Sequence, residues 1–211
     1  GVNMAGNCIC DDDACREASK QEIIRRYYAA LNALAKGETS DKEAHKIELL
    51  MNMAGITVAD RKVAVEALKR AKETGGPAAA LELDDGQIIT GKTTNLLGAS
   101  AALLLNVLKV LAGIEHERHI ISPQSIEPIQ KLKVDYLKSK NPRLHTDEVL
   151  IALSASAADS TEARLALSQL PKLNGCQAHT SVMLSDVDIK IFKKLGVQLT
   201  CEAVYEHIFL S

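Results

Sequence analysis

The stretch that decides the fold is GKTTNLLGASAALLLNVLKVLAGI, residues 91–114. Between residues 96 and 112 the polar side chains are Ser100, Asn106 and Lys109. A helix that is apolar on nearly every side must be enclosed by other elements. It is shorter than the roughly 18 apolar residues that indicate a membrane span. The sequence therefore predicts a buried helix at the centre of a soluble domain.

The start of this helix is the best candidate for a binding site. Thr93, Thr94 or Asn95 is expected to cap it by accepting hydrogen bonds from free backbone N–H groups. Such a helix end attracts anions, and Lys92 and the Ser100 hydroxyl add positive charge and a donor. The sequence leaves two interpretations open: an anion site, or residues that only cap a core helix.

A phosphate-binding motif overlaps the same region. Residues 86–93, GQIITGKT, fit G-x-x-x-x-G-K-[ST]. A working P-loop must curl around phosphate, whereas Ile88, Ile89 and Thr90 are β-branched and favour an extended chain. The turn signal at 84–86, Asp-Asp-Gly, follows an alternating segment. We therefore predict a β-hairpin that leads into the helix, and no nucleotide-binding P-loop.

Composition narrows the classes of function. The chain has 211 residues, of which 46% are hydrophobic and 25% charged, so it can form one or two globular domains. A net charge of −2, two Phe and no Trp argue against a nucleic-acid partner. No membrane span or secretory signal is visible. Five cysteines without a disulfide-type spacing favour a reducing, cytoplasmic location.

Two domains are expected. Residues 1–76 read as a strand followed by three amphipathic helices, at about 14–35, 41–54 and 58–74. Residues 77–211 read as an α/β domain, in which helices alternate with short strands. Its later elements are predicted as strands at 119–122, 175–184 and 197–201 and helices at 123–139, 146–157, 161–170 and 185–195. The fold class is thus a helix-rich, layered α/β domain around a central buried helix, plus an N-terminal helical subdomain.

Two further clusters carry polar groups suited to a pocket. The loop at 141–145, NPRLH, contains Arg143, which suits a phosphate or carboxylate, and His145. The segment His179–Thr180–Ser181 contributes an imidazole and two hydroxyls. The alternatives are a plain turn with a solvated arginine, and a hydrogen-bonded histidine at the end of a strand. Asn3 is placed in the same predicted pocket.

Several stretches together resemble a known family: GVNM at 1–4, ASKQEIIRR at 18–26, IITGK at 88–92, NPRLH at 141–145, and LPKLNGC at 170–176 with Ala178–His179. They are similar to the C-terminal half of a bacterial family of unknown function, domain of unknown function 1846. The resemblance implies a longer protein, whose N-terminal half carries a glycine-rich, P-loop-like segment. It also brings loose suggestions of ATP-dependent peptidase activity and metal binding. The chain has no H-E-x-x-H helix, and we predict no metal site.

Two hypotheses of function follow. The first is part of an enzyme, in which this chain supplies a pocket for a small anionic, phosphate-containing molecule. A missing N-terminal half would then add a nucleotide or the catalytic groups, so no catalytic residue is assigned here. The chain begins without a Met, in an apolar run, which suggests a fragment. The alternative is a non-catalytic structural module that packs against the rest of the protein or forms a homo-oligomer.

Overall fold

The computed structural model describes residues 11–206, so the strand predicted at 1–10 and the candidate Asn3 lie outside the described residues. The chain divides into two compact units, Gly1–Lys62 and Val63–Ser211. We predicted the boundary at residue 76 instead. The third helix belongs with the second unit because its Val63 and Ala67 pack on Ala80 of the sheet.

The described part of the first unit is a pair of helices, α1 (Asp12–Ala35) and α2 (Asp41–Ala54), followed by a 3-10 turn at Val58–Asp60. Asp11 caps α1, because its carboxylate accepts a hydrogen bond from the Ala14 N–H at 2.8 Å. Gly55 ends α2 with φ +66°, the left-handed conformation typical of glycine there. Both helices confirm the prediction from the sequence.

The helix predicted over 58–74 is interrupted at Arg61. This residue has an extended backbone, and α3 begins at the next residue, spanning Lys62–Thr74. The Arg61 side chain is buried and donates a hydrogen bond to the Gln21 Oε1 atom at 3.0 Å. A contact 40 residues away in sequence thus accompanies the break, which local periodicity does not reveal.

Strands β1 (Ala78–Glu82), β2 (Ile88–Lys92), β3 (Gln177–Thr180) and β4 (Gln198–Cys201) form one sheet in the described residues, in the order β2-β1-β3-β4. Strand β1 is antiparallel to both of its neighbours, and β3 and β4 are parallel. The β1–β2 hairpin is confirmed, with Gly86 at φ +83° in its turn.

The predicted central helix is α4, Ala99–Leu111, and nearly all of its residues are buried. Its Leu103, Leu104 and Leu108 belong to the same core as Leu81 of β1. Where α4 crosses β2, a Cβ atom on Gly91 would lie 2.2 Å from the backbone nitrogen of Leu103. The glycine of the P-loop-like motif therefore permits helix–strand contact, and the hairpin interpretation of that motif is confirmed.

The predicted start of α4 is wrong. The helix begins at Ala99 after Gly98, so residues 93–95 lie in the connection that precedes it. The Thr93 N–H continues the hairpin ladder to the Pro77 carbonyl at 2.9 Å, which keeps the chain extended. Beyond it, Leu97 forms a bridge with Leu144. Leu97, which the apolar pattern assigned to the helix, instead pairs with a distant segment of the chain.

The remaining elements largely follow the sequence pattern. They are α5 (Pro123–Lys131) with a π-helical turn at Leu132–Tyr136, α6 (Thr146–Ser156), α7 (Thr161–Leu167), a 3-10 turn at Leu170–Leu173, and α8 (Asp186–Lys194). No strand forms at 119–122. Ile120 and Ile121 are both buried there, which an alternating strand with one covered face would not allow. The helix-rich, layered α/β fold class is confirmed.

Candidate functional site

A small cavity of about 70 Å³, here called the inner cavity, lies at the amino end of α4. Its polar lining comes from distant parts of the second unit and includes Thr93, Ser100, Arg143, His145, Asp188 and Glu206. The first four of these were predicted site residues. The amino end of the central helix therefore opens into a polar hollow beside the 141–145 loop.

Lys133 stabilises the loop that carries Arg143 and His145. This buried lysine donates hydrogen bonds to the Arg143 carbonyl at 2.6 Å and to the Glu148 carboxylate at 2.8 Å. Glu148 in turn accepts from the His145 N–H at 2.8 Å, which makes His145 the N-cap of α6. Thr146 is then the first helical residue, as the helix predicted at 146–157 requires. These contacts hold the backbone of the loop in place beside the cavity.

His145 is paired with a buried carboxylate. Its Nδ1 atom lies 3.0 Å from Asp188 Oδ2, and Asp188 is only 3% exposed. The same carboxylate accepts hydrogen bonds from the Thr146 N–H at 2.9 Å, the Thr146 hydroxyl at 2.8 Å and the Ser185 hydroxyl at 2.7 Å. Asp188 lies in the first turn of α8, which Ser185 caps. The pair therefore forms where the amino ends of α6 and α8 lie close together.

The electrostatics of the pair follow from these contacts. Burial raises the pKa of Asp188, but hydrogen bonds from His145, Thr146 and Ser185 outweigh it and lower the pKa to about 2. The hydrogen bond that His145 donates to Asp188 raises the pKa of His145, against the opposing effect of burial. Because Asp188 is ionised at neutral pH, the neutral imidazole carries its proton on Nδ1. Its Nε2 atom is then the one that can take up or release a proton.

The ion pair between Arg143 and Glu206 lines both the inner cavity and a wider groove. Arg143 Nη1 lies 2.5 Å from Glu206 Oε1, and both residues line the inner cavity and a groove of about 590 Å³, here called the outer groove. Thr93 also lines both, and its buried Oγ1 has no hydrogen-bond partner in residues 11–206. Ser181, a predicted site residue, lines the outer groove, where its hydroxyl accepts from the Ala78 N–H at 2.9 Å.

Three predicted residues lie in a different place. Lys92, Thr94 and Asn95 line a separate pocket of about 620 Å³, here called the basic pocket. Side chains of an extended chain alternate in direction, so Thr93 faces the inner cavity while Lys92 and Thr94 face the other side. The group of residues predicted at one helix start is therefore divided between two cavities.

His179 and Thr180 are not brought to any of these cavities. Both are fully buried in β3, which lies between β1 and β4. His179 Nδ1 is 2.8 Å from the Thr200 hydroxyl and Nε2 is 3.3 Å from Glu202 Oε1. The Thr180 hydroxyl donates to the Val182 carbonyl at 2.7 Å. We predicted that His179 and Thr180 line the pocket; they lie instead in the interior of the sheet, because β3 has a neighbouring strand on both sides.

Two classes of site are missing from the described residues. Within 11–206 no group of three or more His, Cys, Asp or Glu side chains could hold a metal ion. Over the same range no helix combines the length and the apolar character that crossing a membrane requires.

Comparison with known proteins now adds a family. Residues 59–210 match the model described as domain of unknown function DUF1846, C-terminal, and residues 1–55 match the corresponding N-terminal model. The chain belongs to the DUF1846 family. The resemblance is thus confirmed, but the chain matches both models of the DUF1846 family. The expectation of a C-terminal half alone, without any N-terminal part, is not supported.

The curated relatives in the DUF1846 family are longer proteins. The chain is 56% identical over 205 residues to UPF0371 protein cu0538 of Corynebacterium urealyticum, covering 97% of this chain and 41% of that protein. It is 55% identical to UPF0371 protein CE2832 of Corynebacterium efficiens and 48% identical to UPF0371 protein str1377 of Streptococcus thermophilus, covering 98% of this chain and 42% of each. None of these names states an activity, so peptidase activity and metal binding gain no support.

Sequence reasoning missed Asp188, Ser185 and Glu206. The segment around Ser185 and Asp188 resembles an ordinary helix start, and both residues do serve that purpose. The pairing with His145 spans 43 residues and leaves no local signal. Glu206 lies 63 residues from Arg143.

Proposed function

We propose that this chain supplies an enzyme site for a small anionic molecule at the inner cavity, with His145 exchanging a proton with the bound molecule. The observation that carries this proposal is the pair of His145 with buried Asp188, opening on a cavity at the amino end of α4. A histidine oriented by a carboxylate through Nδ1 is a common arrangement for acid–base catalysis.

The amino end of α4 favours an anion there. The first N–H groups of a helix have no intrahelical partner and carry the positive end of the helix dipole. The Gly98 N–H is used by the Leu144 carbonyl at 3.2 Å, but Ala99 and Ser100 line the cavity. The Ser100 hydroxyl, a protonated His145 and Arg143 add donors or positive charge around the same space.

Size constrains the molecule. A cavity of about 70 Å³ has room for a carboxylate or phosphate group, not for a whole metabolite. The outer groove, which shares Thr93, Arg143 and Glu206 with it, has room for the body of the molecule. The substrate class is therefore a small organic acid or phosphate whose charged end enters the inner cavity. An anion entering there competes with Glu206 for Arg143.

The raised pKa of His145 bears on the chemistry. A larger fraction of imidazolium at neutral pH strengthens anion binding and makes Nε2 a proton donor to the bound molecule. After release of that proton, the same atom is a base.

The test is calorimetric titration with malonate and inorganic phosphate at constant ionic strength. We expect saturable binding that weakens as pH rises, and His145→Gln should lower the affinity about tenfold, as loss of a charged hydrogen bond predicts. The matched control is His45→Gln, on the exposed face of α2. Absence of binding above the ionic-strength control, or equal binding by His145→Gln, would refute the proposal.

A second candidate function is assembly with another copy of the chain. The observation that favours it is a set of apolar side chains on α2, where Leu49 and Leu50 are half-exposed and Met53 is 86% exposed. Apolar surface of this kind usually marks an interaction site. Sedimentation equilibrium should then show a dimer that Met53→Ser weakens. A wild-type chain that stays monomeric at high concentration would remove this candidate.

A further inference from the structure

The basic pocket is separate from the proposed site and has a different chemistry. Its volume of about 620 Å³ falls in the range of small-molecule sites. The basic side chains in its lining are Arg70, Lys92, Lys109, His116 and His119, and among the described residues no Asp or Glu lines it. The lining is therefore suited to a ligand with concentrated negative charge.

The pocket is built around the free edge of the sheet. Among residues 11–206, β2 is the last strand on its side, so its outer edge pairs with no other strand of that range. Asn106 of α4 covers part of this edge by donating a hydrogen bond to the Thr90 carbonyl at 2.9 Å. Next to it, Leu105, Ile120 and Ile121 form an apolar floor. A ligand here would meet apolar surface below and cationic groups at the side.

Two cations are held in place by the fold. The largely buried Lys109 donates from Nζ to the His116 carbonyl at 2.7 Å, which fastens the segment that carries both histidines against α4. Arg70, on α3, directs Nη1 toward Glu73 at 3.4 Å. Its buried Nε has no hydrogen-bond acceptor in residues 11–206. An acceptor oxygen from a ligand would satisfy this donor.

We propose that the basic pocket binds a phosphate monoester with an apolar or aromatic body. A phosphate monoester carries nearly two negative charges and three acceptor oxygens, which match a lining with several basic side chains and, among the described residues, no carboxylate. The apolar floor at Leu105, Ile120 and Ile121 would contact the body of the molecule. Lys92, an exposed residue of the lining, would pair with the phosphate of the bound ligand.

The experiment is calorimetric titration of the 211-residue chain with phenyl phosphate, inorganic phosphate and phenol at constant ionic strength. Phenyl phosphate should bind more tightly than either fragment, because it engages both the cations and the floor. Lys92→Ala should weaken its binding roughly tenfold, the usual effect of one charged hydrogen bond, and Lys92→Glu should weaken it further. The matched control is Lys69→Ala, an exposed lysine on α3 beside Arg70 that does not line the pocket.

Each other outcome contradicts the proposal. If phenyl phosphate shows no saturable binding, or binds no better than inorganic phosphate, the pocket does not take an aromatic phosphate monoester. If Lys69→Ala weakens binding as much as Lys92→Ala, only general charge is involved. If His145→Gln abolishes binding while Lys92→Ala leaves it unchanged, the phosphate goes to the inner cavity, so failure here remains distinct from failure of the proposed function.

Discussion

Replacing Asp188 with Asn tests the centre of the proposed site. Asn has nearly the same size, but it cannot be ionised, and one of its terminal atoms becomes a donor. In one orientation that donor would face the Ser185 hydroxyl and the His145 Nδ1–H, which both donate to Oδ2 in the wild type; in the other it would face the Thr146 N–H and hydroxyl, which donate to Oδ1. The substitution therefore removes the charge and part of the hydrogen bonding while leaving the packing largely intact.

The expected loss of stability follows from the pKa of Asp188. A shift from 3.8 to about 2 corresponds to about 2 kcal/mol of folding free energy at neutral pH. The folded-state pKa lies below the unfolded value, so this stability is present above about pH 4 and is lost as pH falls to about 2. At pH 7, with a urea slope of about 2 kcal/mol/M, the midpoint of Asp188→Asn should fall by about 1 M.

The contribution of His145 to stability changes with pH in the opposite direction. Its pKa is raised in the folded state, so its stabilising charge is fully present below the unfolded pKa and is lost as pH rises through the folded pKa. Nuclear magnetic resonance titration of His145 should therefore give a raised pKa in the wild type. In Asp188→Asn the pKa should return toward the ordinary value of histidine.

The assay is urea unfolding of both proteins at pH 7, 4 and 2.5, with Asp159→Asn, at an exposed position, as the control. The difference in unfolding free energy between wild type and Asp188→Asn should shrink toward the lowest pH, whereas the control should match the wild type throughout. A difference that stays the same at every pH would refute the electrostatic reasoning, as would an unchanged titration of His145.

Three further substitutions test the scaffold and the site. Gly91→Ala places a Cβ 2.2 Å from the Leu103 backbone nitrogen and should lower the unfolding free energy by more than about 2 kcal/mol. The control is Gly76→Ala, which has open space around its Cβ and should have little effect. Equal urea midpoints for the two variants would contradict this reasoning. Leu103→Ala empties a fully buried position in α4 and should cost about 3 kcal/mol in the same assay, and a loss below 1 kcal/mol would mean that the site collapses freely. Glu206→Gln frees Arg143 from its ion pair and should tighten malonate binding several-fold by calorimetry; weaker binding would show that Glu206 positions Arg143 instead.

Much of the fold can be predicted from local patterns. The bounds of α2 are set by acids at its start and Gly55 at its end, and the β1–β2 hairpin by alternation and the turn at Gly86. The buried α4 follows from its apolar composition alone. Long-range contacts decide the rest: Arg61 interrupts a periodic helix, and pairing of Leu97 with Leu144 delays the start of α4.

The candidate site is less predictable for the same reason. Arg143 and His145 are visible because they lie together on one loop, but nothing near them in sequence indicates Asp188. His179 misleads in the other direction, because an imidazole in a short strand resembles a site residue until the strands on both sides of it are known. Residue type predicts which chemistry is available, whereas topology decides which side chains meet.

The alternating connection at 92–94 limits how this protein can change. Neighbouring side chains there line cavities on opposite sides of the chain. Deleting or adding one residue would therefore exchange which side chain lines which cavity. The threonine hydroxyl of the inner cavity would turn toward the cations, and the lysine would turn toward the His145 pair. Ligand preference in this part of the molecule is therefore open to substitution, while the length of the connection has to stay constant.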